Sequence, residues 1–191
     1  GQYRGGAAKV AIFSSGLLGS MSGSVISNVL TTGTMTIPAM KRTGLKPAMA
    51  GAVEACASTG AVLAPPVMGA TAFVMAEFLG VPYSHIMLAA AIPAIFYYGT
   101  LFAAIHFNAG RNGLKGIPKA ELPKMGVIMR RQGHLLVPVL VIFWLLLLGY
   151  TATYAAIIST ASVVVVSWFR AESRITLRRA LQAVRDGAQQ T

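Results

Sequence analysis

Gly16-Leu17-Leu18-Gly19-Ser20-Met21-Ser22-Gly23-Ser24-Val25-Ile26-Ser27-Asn28 is a run of glycine and hydroxyl residues set between two apolar arms. Each arm, Ala7 to Leu18 and Ser24 to Ile37, holds about a dozen residues, fewer than the ~20 that cross a bilayer. Irregular backbone at membrane depth is tolerated only where protein or a watery cavity surrounds it. The stretch therefore reads as the tip of a re-entrant helical hairpin, with Pro38 stopping the second arm.

Composition supports a membrane setting. The chain is 55% hydrophobic, only 11% charged, and has a mean hydropathy of +0.65, outside the soluble globular range. At ~20 residues per span, five or six membrane elements consume nearly all of its 191 residues. Sixteen Lys and Arg against five acidic residues give a net charge of +11. The basic groups have no interleaved aromatic residues to act as a stacking platform, so they argue for a membrane surface and lipid contact rather than nucleic acid. Cys56 is the single cysteine and reads as a buried small hydrophobe. The first residues do not look like a targeting signal, and the chain reads as beginning within a longer one.

Along the chain, the expected fold is all-α and integral to the membrane. The hairpin occupies residues 7–40. Pro47 opens a helix that runs to about Thr59, meets Gly60, and is interrupted by Pro65-Pro66, which both lack the backbone donor. A second half runs from Pro66 through Glu77, so residues 47–79 read as one discontinuous span. Ile86 to Phe107 is a full span, within residues 86–107. Residues 111–133 form an amphipathic interfacial arm, with Leu114 to Gln132 mixed basic and apolar and its apolar residues recurring at helical spacing. Residues 134–169 contain two further spans, Leu135 to Leu148 and Ala152 to Phe169, with a scaffold role, and 170–191 is a basic cytoplasmic tail or linker. Residues 1–110 together read as half of a transport domain.

Charge tests this topology. With the hairpin entering and leaving on one side, and the discontinuous span and the three further spans crossing once each, all sixteen Lys and Arg fall on that side. The opposite turns, Gly80 to Tyr83 and Gly149 to Thr151, carry none. The positive-inside rule then places the open end of the hairpin in the cytoplasm.

A hairpin tip facing a helix break is a recurrent transporter architecture, because each break exposes unpaired backbone groups. Carbonyls near Leu18-Gly19 and Ser58-Thr59-Gly60 suit a small cation such as Na⁺. Amides near Ser22 to Val25 and Pro66 to Gly69 suit an anionic group, which the helix dipole favours. The candidate ion and substrate residues are Gly19, Ser20, Ser22, Gly23, Ser24, Asn28, Ser58, Thr59, Gly60, Pro65 and Pro66, with Na⁺ placed at Gly19, Ser20, Asn28 and Thr59. The hydroxyls also fit plain helix capping or bonding back to the preceding turn. Glu54 lies about 10 Å into its helix at 1.5 Å per residue, where it either tunes ion or proton coupling or pairs with Lys or Arg. His85, His106 and His134 sit at span ends, away from other candidate ligands.

These residues carry a family resemblance. Gly19 to Ser24, Thr36-Ile37-Pro38-Ala39-Met40-Lys41-Arg42-Thr43-Gly44, and Ala55 to Gly60 with Pro65-Pro66 and Met68-Gly69-Ala70 resemble the large membrane subunit of tripartite ATP-independent periplasmic (TRAP) transporters. The likeness covers about Ala7 to His106 and is strongest to variants with fused large and small subunits. It implies an elevator-type, Na⁺-coupled importer of an organic acid, such as a dicarboxylate, in the bacterial inner membrane. A periplasmic substrate-binding protein would deliver the acid, and a small membrane subunit, fused or separate, would complete the permease. It also implies that this chain is one repeat, with an inverted second repeat elsewhere. Asn28 stands where members often carry Asp; it keeps the oxygen ligand and loses the charge. The resemblance implies no enzyme activity.

Two rivals have their own signals. An intramembrane serine hydrolase would use Ser22, but Gly19 to Gly23 does not centre a serine as Gly-x-Ser-x-Gly requires. A passive channel could build a filter from the same re-entrant loop.

Overall fold

Backbone groups that leave water for hydrocarbon must bond within their own segment, which favours helices for so apolar a chain. The computed structural model describes residues 5–114 and 133–168. Among the described residues there are seven α-helices and no strand. They are α1 Gly6–Ser22, α2 Val25–Arg42, α3 Pro47–Ala61, α4 Ala70–Leu79, α5 Tyr83–Arg111, α6 Val137–Leu147 and α7 Ala152–Trp168, with a 3-10 turn at Gly133–Leu136 before α6. The expected amphipathic arm lies outside the described residues apart from 111–114 and Gly133, and the basic tail lies wholly outside them.

The chain divides into two compact units, Gly1–Pro123 and Lys124–Thr191. In the first, contacts fix the helix directions. Asn28 meets Ser15, and an added Cβ on Gly19 would touch the Asn28 amide, while Thr32 lies beside Ser15. Advancing along α2 thus means retreating along α1, and the two form an antiparallel hairpin. Ser58 sits against Ser15 and Ala61 against Gly19, so α3 runs parallel to α1. Tyr98 lies at Gly16, His106 at Lys9 and Ala109 at Gly5, which makes α5 antiparallel to α1. The start of α1, the ends of α2 and α5, and the start of α3 therefore gather at one end. That end carries Lys9, Lys41, Arg42, Lys46 and Arg111.

Several boundaries differ from expectation. α1 continues to Ser22, so the tip is only Gly23 and Ser24. Pro38 lies inside α2 rather than ending it; proline removes one backbone bond from a helix that the neighbouring α1 and α3 hold in place. The second half of the broken helix begins at Ala70, four residues after Pro66, because residues 62–69 form turns with a cis Pro65–Pro66 bond. Among the described residues one helix, α5, with 29 residues, is long and apolar enough to cross a membrane; α4, α6 and α7 are shorter apolar helices.

The core of this unit is mostly small. Ala7, Ala8, Ala11, Ala50 and Ala57 are buried with Ile12, Val53 and Met40, the close backbone approach that membrane helices use. Its surface is the reverse of a soluble protein's, with Phe78 87% and Met35 80% exposed, a face suited to lipid or further protein. Cys56, expected inside, is exposed, because α3 turns the next two residues, Ala57 and Ser58, inward.

In the second unit α6 and α7 pair antiparallel, with Ser159 donating to the Pro138 carbonyl at 3.0 Å. Gly149, at φ +84°, makes the turn, and Tyr150 stacks on Tyr154 at 5.2 Å.

The tip tolerates no side chain at Gly23. Its φ is +64°, and an added Cβ would lie 2.4 Å from the Met68 carbonyl oxygen. Gly23→Val should cost about 1–3 kcal/mol from the left-handed backbone alone. In thermal unfolding of the detergent-solubilised protein, its midpoint should fall, whereas Gly51→Ala, in open space on α3, should not lower it.

Candidate functional site

The hairpin tip and the helix break are stitched together through backbone. The Ser20 carbonyl accepts from the amides of Val67 and Met68, each at 3.1 Å, and Ser20 itself is buried. Gly19 O accepts from Gly23 N at 2.9 Å and from the Ser22 hydroxyl at 3.4 Å. The carbonyls expected to be free near Leu18-Gly19 are thus in use at Gly19, because α1 runs a full turn further. The amides expected free over Pro66 to Gly69 are also engaged: Val67 and Met68 bond Ser20, and Gly69 bonds Val62 O at 2.9 Å. Tyr83 donates to the carbonyls of Val67 and Pro66 and holds the break from the other side.

What stays open is the start of α2. Ser24 caps it, its hydroxyl accepting from Ser27 N at 3.3 Å. The amides of Val25 and Ile26 have no acceptor within their own helix. Ser22 and Ser24 are exposed, so the tip presents hydroxyls and amides outward. Pro65 lines a cavity of about 440 Å³ with Ile12, Gly16, Ser20 and Tyr98. Thr59 lies on the exposed face of α3, donating to Ala55 O, and buried Gly60 packs against the Tyr97 ring.

Beneath the tip lies a polar network that joins three helices. Asn28 is 2% exposed, and its amide nitrogen donates to Ser15 O at 2.9 Å, Ser15 Oγ at 2.9 Å and Ser58 Oγ at 3.1 Å. A carbonyl can only accept, so Ser15 O fixes which end of the Asn28 amide faces it. Ser15 and Ser58 hydroxyls are 3.0 Å apart. Ser58 reaches Glu54 Oε1 at 3.4 Å, Thr36 donates to Glu54 Oε2 at 2.5 Å, and Thr32 bonds Oε1. Glu54 is fully buried. Among the described residues its partners are hydroxyls, and the Lys or Arg pairing considered for it is not formed with any of them.

Two glycines make room for these side chains. A Cβ on Gly19 would come within 2.5 Å of the Asn28 amide nitrogen, and one on Gly33 within 3.4 Å of Glu54 Cγ. Ser15, Thr32 and Thr36 are the members that the sequence reading passed over. Their signal was spacing: Asn28, Thr32 and Thr36 recur every four residues on α2, as Glu54 and Ser58 do on α3, and such positions share a helix face.

Asn28 Oδ1 is buried with no hydrogen-bond partner. An unpaired buried acceptor costs free energy and is the atom in this network open to a further ligand. Ser22, the proposed nucleophile of a hydrolase, donates to a main-chain carbonyl. Lys9 Nζ lies 3.0 Å from His106 Nδ1 at the basic end.

Asn28→Asp replaces the donors with acceptors opposite Ser15 O. It should destabilise the protein by about 1–3 kcal/mol, the penalty for unpaired buried groups. In Na⁺-free buffer, the unfolding midpoint of the variant should fall below that of the wild type.

The chain has relatives among known proteins. Two curated relatives each share 27% identity: an uncharacterized protein, y4mL, of Sinorhizobium fredii over 160 residues, and a putative TRAP transporter large permease protein of Haemophilus influenzae over 170 residues. The matches cover 83% and 88% of this chain but 38% and 40% of those relatives, so the chain spans well under half their length. The family pattern of the tripartite ATP-independent periplasmic transporter, DctM component, matches residues 1–191. The chain belongs to the DctM family, the large membrane component of TRAP transporters.

Proposed function

We propose that this chain forms part of a multi-pass permease in the bacterial inner membrane that imports an organic acid, a carboxylate, with Na⁺ as the coupling ion. A periplasmic substrate-binding protein supplies the acid. A small membrane subunit and a second, inverted repeat complete the machine. Residues 1–110 serve as half of its moving transport domain and 134–169 as scaffold.

The observation that carries this reading is the juxtaposition at the hairpin. An outward-facing tip offers the Ser22 and Ser24 hydroxyls and the first amides of α2, while an unpartnered amide oxygen waits beneath it at Asn28. Helix N-terminal amides and the helix dipole favour a carboxylate. A neutral oxygen with no donor favours a cation, and Na⁺ takes oxygen ligands readily. We place the ion at Asn28 Oδ1, beside the backbone of Gly19 and Ser20. Thr59, on the exposed face of α3, fits better as a surface residue of the transport domain. The two sites lie on one hairpin, so filling one changes the field at the other.

The test is uptake by the full-length permease, reconstituted with its small subunit and binding protein. Accumulation of a carboxylate should require both an inward Na⁺ gradient and the binding protein, and should saturate. Asn28→Ala should raise the Na⁺ concentration for half-maximal uptake about tenfold, equivalent to ~1.4 kcal/mol of lost ion affinity. Equal uptake without Na⁺ would remove the coupling reading, and a non-saturating current would favour a channel.

A further inference from the structure

Glu54 has no role in the function just proposed, yet it is a fully buried ionisable group whose carboxyl meets Thr32 and Thr36 of α2 and Ser58 of its own helix. A carboxylate with no neighbouring cation is expensive to bury unless hydrogen bonds or a proton neutralise it. The arrangement around it allows both.

Each threonine hydroxyl has one hydrogen and two acceptors. Thr32 Oγ1 bonds Glu54 Oε1 and lies 2.7 Å from the Asn28 carbonyl. Thr36 Oγ1 lies 2.5 Å from Glu54 Oε2 and 2.9 Å from the Thr32 carbonyl. With Glu54 ionised, both hydroxyl hydrogens point to the carboxylate. With Glu54 protonated, its own hydrogen goes to one threonine oxygen, and that hydroxyl rotates to its main-chain carbonyl. Every donor finds an acceptor in either state, and no heavy atom moves.

The far side of the network points the same way. The Asn28 amide donates to Ser15 and Ser58, which leaves their hydrogens to run onward, from Ser15 to Ser58 and from Ser58 to Glu54. The hydroxyls thus form a ladder from the tip side at Asn28 to Thr36 on the side of the basic end, with the carboxyl in the middle. Among the described residues, the helices packed around it place no Lys or Arg against the carboxyl. α1 contributes Ser15; its Lys9 bonds His106 of α5. α2 contributes Thr32 and Thr36, with Lys41 and Arg42 in its last turn. On α3, Lys46 precedes the first turn and Cys56 is exposed. α5 places the Tyr97 and Tyr98 hydroxyls on the carbonyls of Cys56 and Ala57, and Arg111 is at its end.

We propose that Glu54 binds and releases one proton during the transport cycle, so that proton movement contributes to substrate accumulation alongside Na⁺. Proton binding stands on the geometry of the network; the coupling rests on the transporter reading above. The two are tested separately.

For binding, infrared difference spectra of the complete permease in lipid, between acidic and alkaline buffer, should show a protonated-carboxyl C=O band. The band should disappear in Glu54→Gln and shift in frequency in Thr36→Val, which keeps the shape and removes one hydrogen-bond partner. Absence of a pH-sensitive band assignable to Glu54, in the wild type and in Thr36→Val, would overturn the proposal even if Glu54→Gln failed to fold. For coupling, proteoliposomes at a fixed Na⁺ gradient should accumulate up to about tenfold more of the transported carboxylate per unit of inside-alkaline pH gradient, for one proton carried. Glu54→Gln should abolish this response. A pH-insensitive wild type that still depends on Na⁺ would overturn the coupling and leave the Na⁺ reading intact; loss of Na⁺ dependence alone would do the reverse.

Discussion

The hydrogen bonds that bind Asn28 and Glu54 into one buried network hold the hairpin to the broken helix. Polar groups removed from water must satisfy one another, and here the partners come from three different helices: Ser15 from α1, Asn28, Thr32 and Thr36 from α2, and Glu54 and Ser58 from α3. Alanine packing brings the backbones close enough for such short side chains to meet. Gly19 and Gly33 then leave the volume that the amide and the carboxyl occupy. Sequence, packing and polar chemistry thus agree on a single register for the three helices. A one-residue slip of α2 would turn Asn28, Thr32 and Thr36 away from α3 together.

Above that network the tip is held rather than loose. Ser20 O ties it to Val67 and Met68, and Tyr83 clamps the same segment. The outcome is a small polar surface, Ser22 to Ile26, presented by a rigid support. A site on such support is positioned by its scaffold. The chain so built is one of the DctM family.

Much of the fold was legible in the chain, for definable reasons. The Gly/Ser cluster marked the tip because small polar residues among apolar ones have few other uses in a membrane. Pro65-Pro66 marked the break because neither residue can donate. The gathering of Lys9, Lys41, Arg42, Lys46 and Arg111 at one end follows from charge placement. Boundaries were less legible. Pro38 reads as a stop by local propensity, but tertiary packing carries α2 through to Arg42. The exposure of Cys56 depends on which face of α3 turns inward, and apolar residues on every side hide that choice. Glu54 was visible as an oddity, but its partners came from the four-residue spacing of hydroxyls on another helix. A sequence shows such spacing without showing what it faces.

A double-mutant cycle between Thr32→Val and Glu54→Leu tests the network most directly. It would be read as unfolding free energies of the full-length permease in one detergent. If the hydroxyl and the carboxyl hold α2 to α3, the pair should show an interaction energy of about 1–3 kcal/mol, as residues in one hydrogen-bond network do. Additivity to within about 0.5 kcal/mol, the behaviour of independent sites, would contradict it.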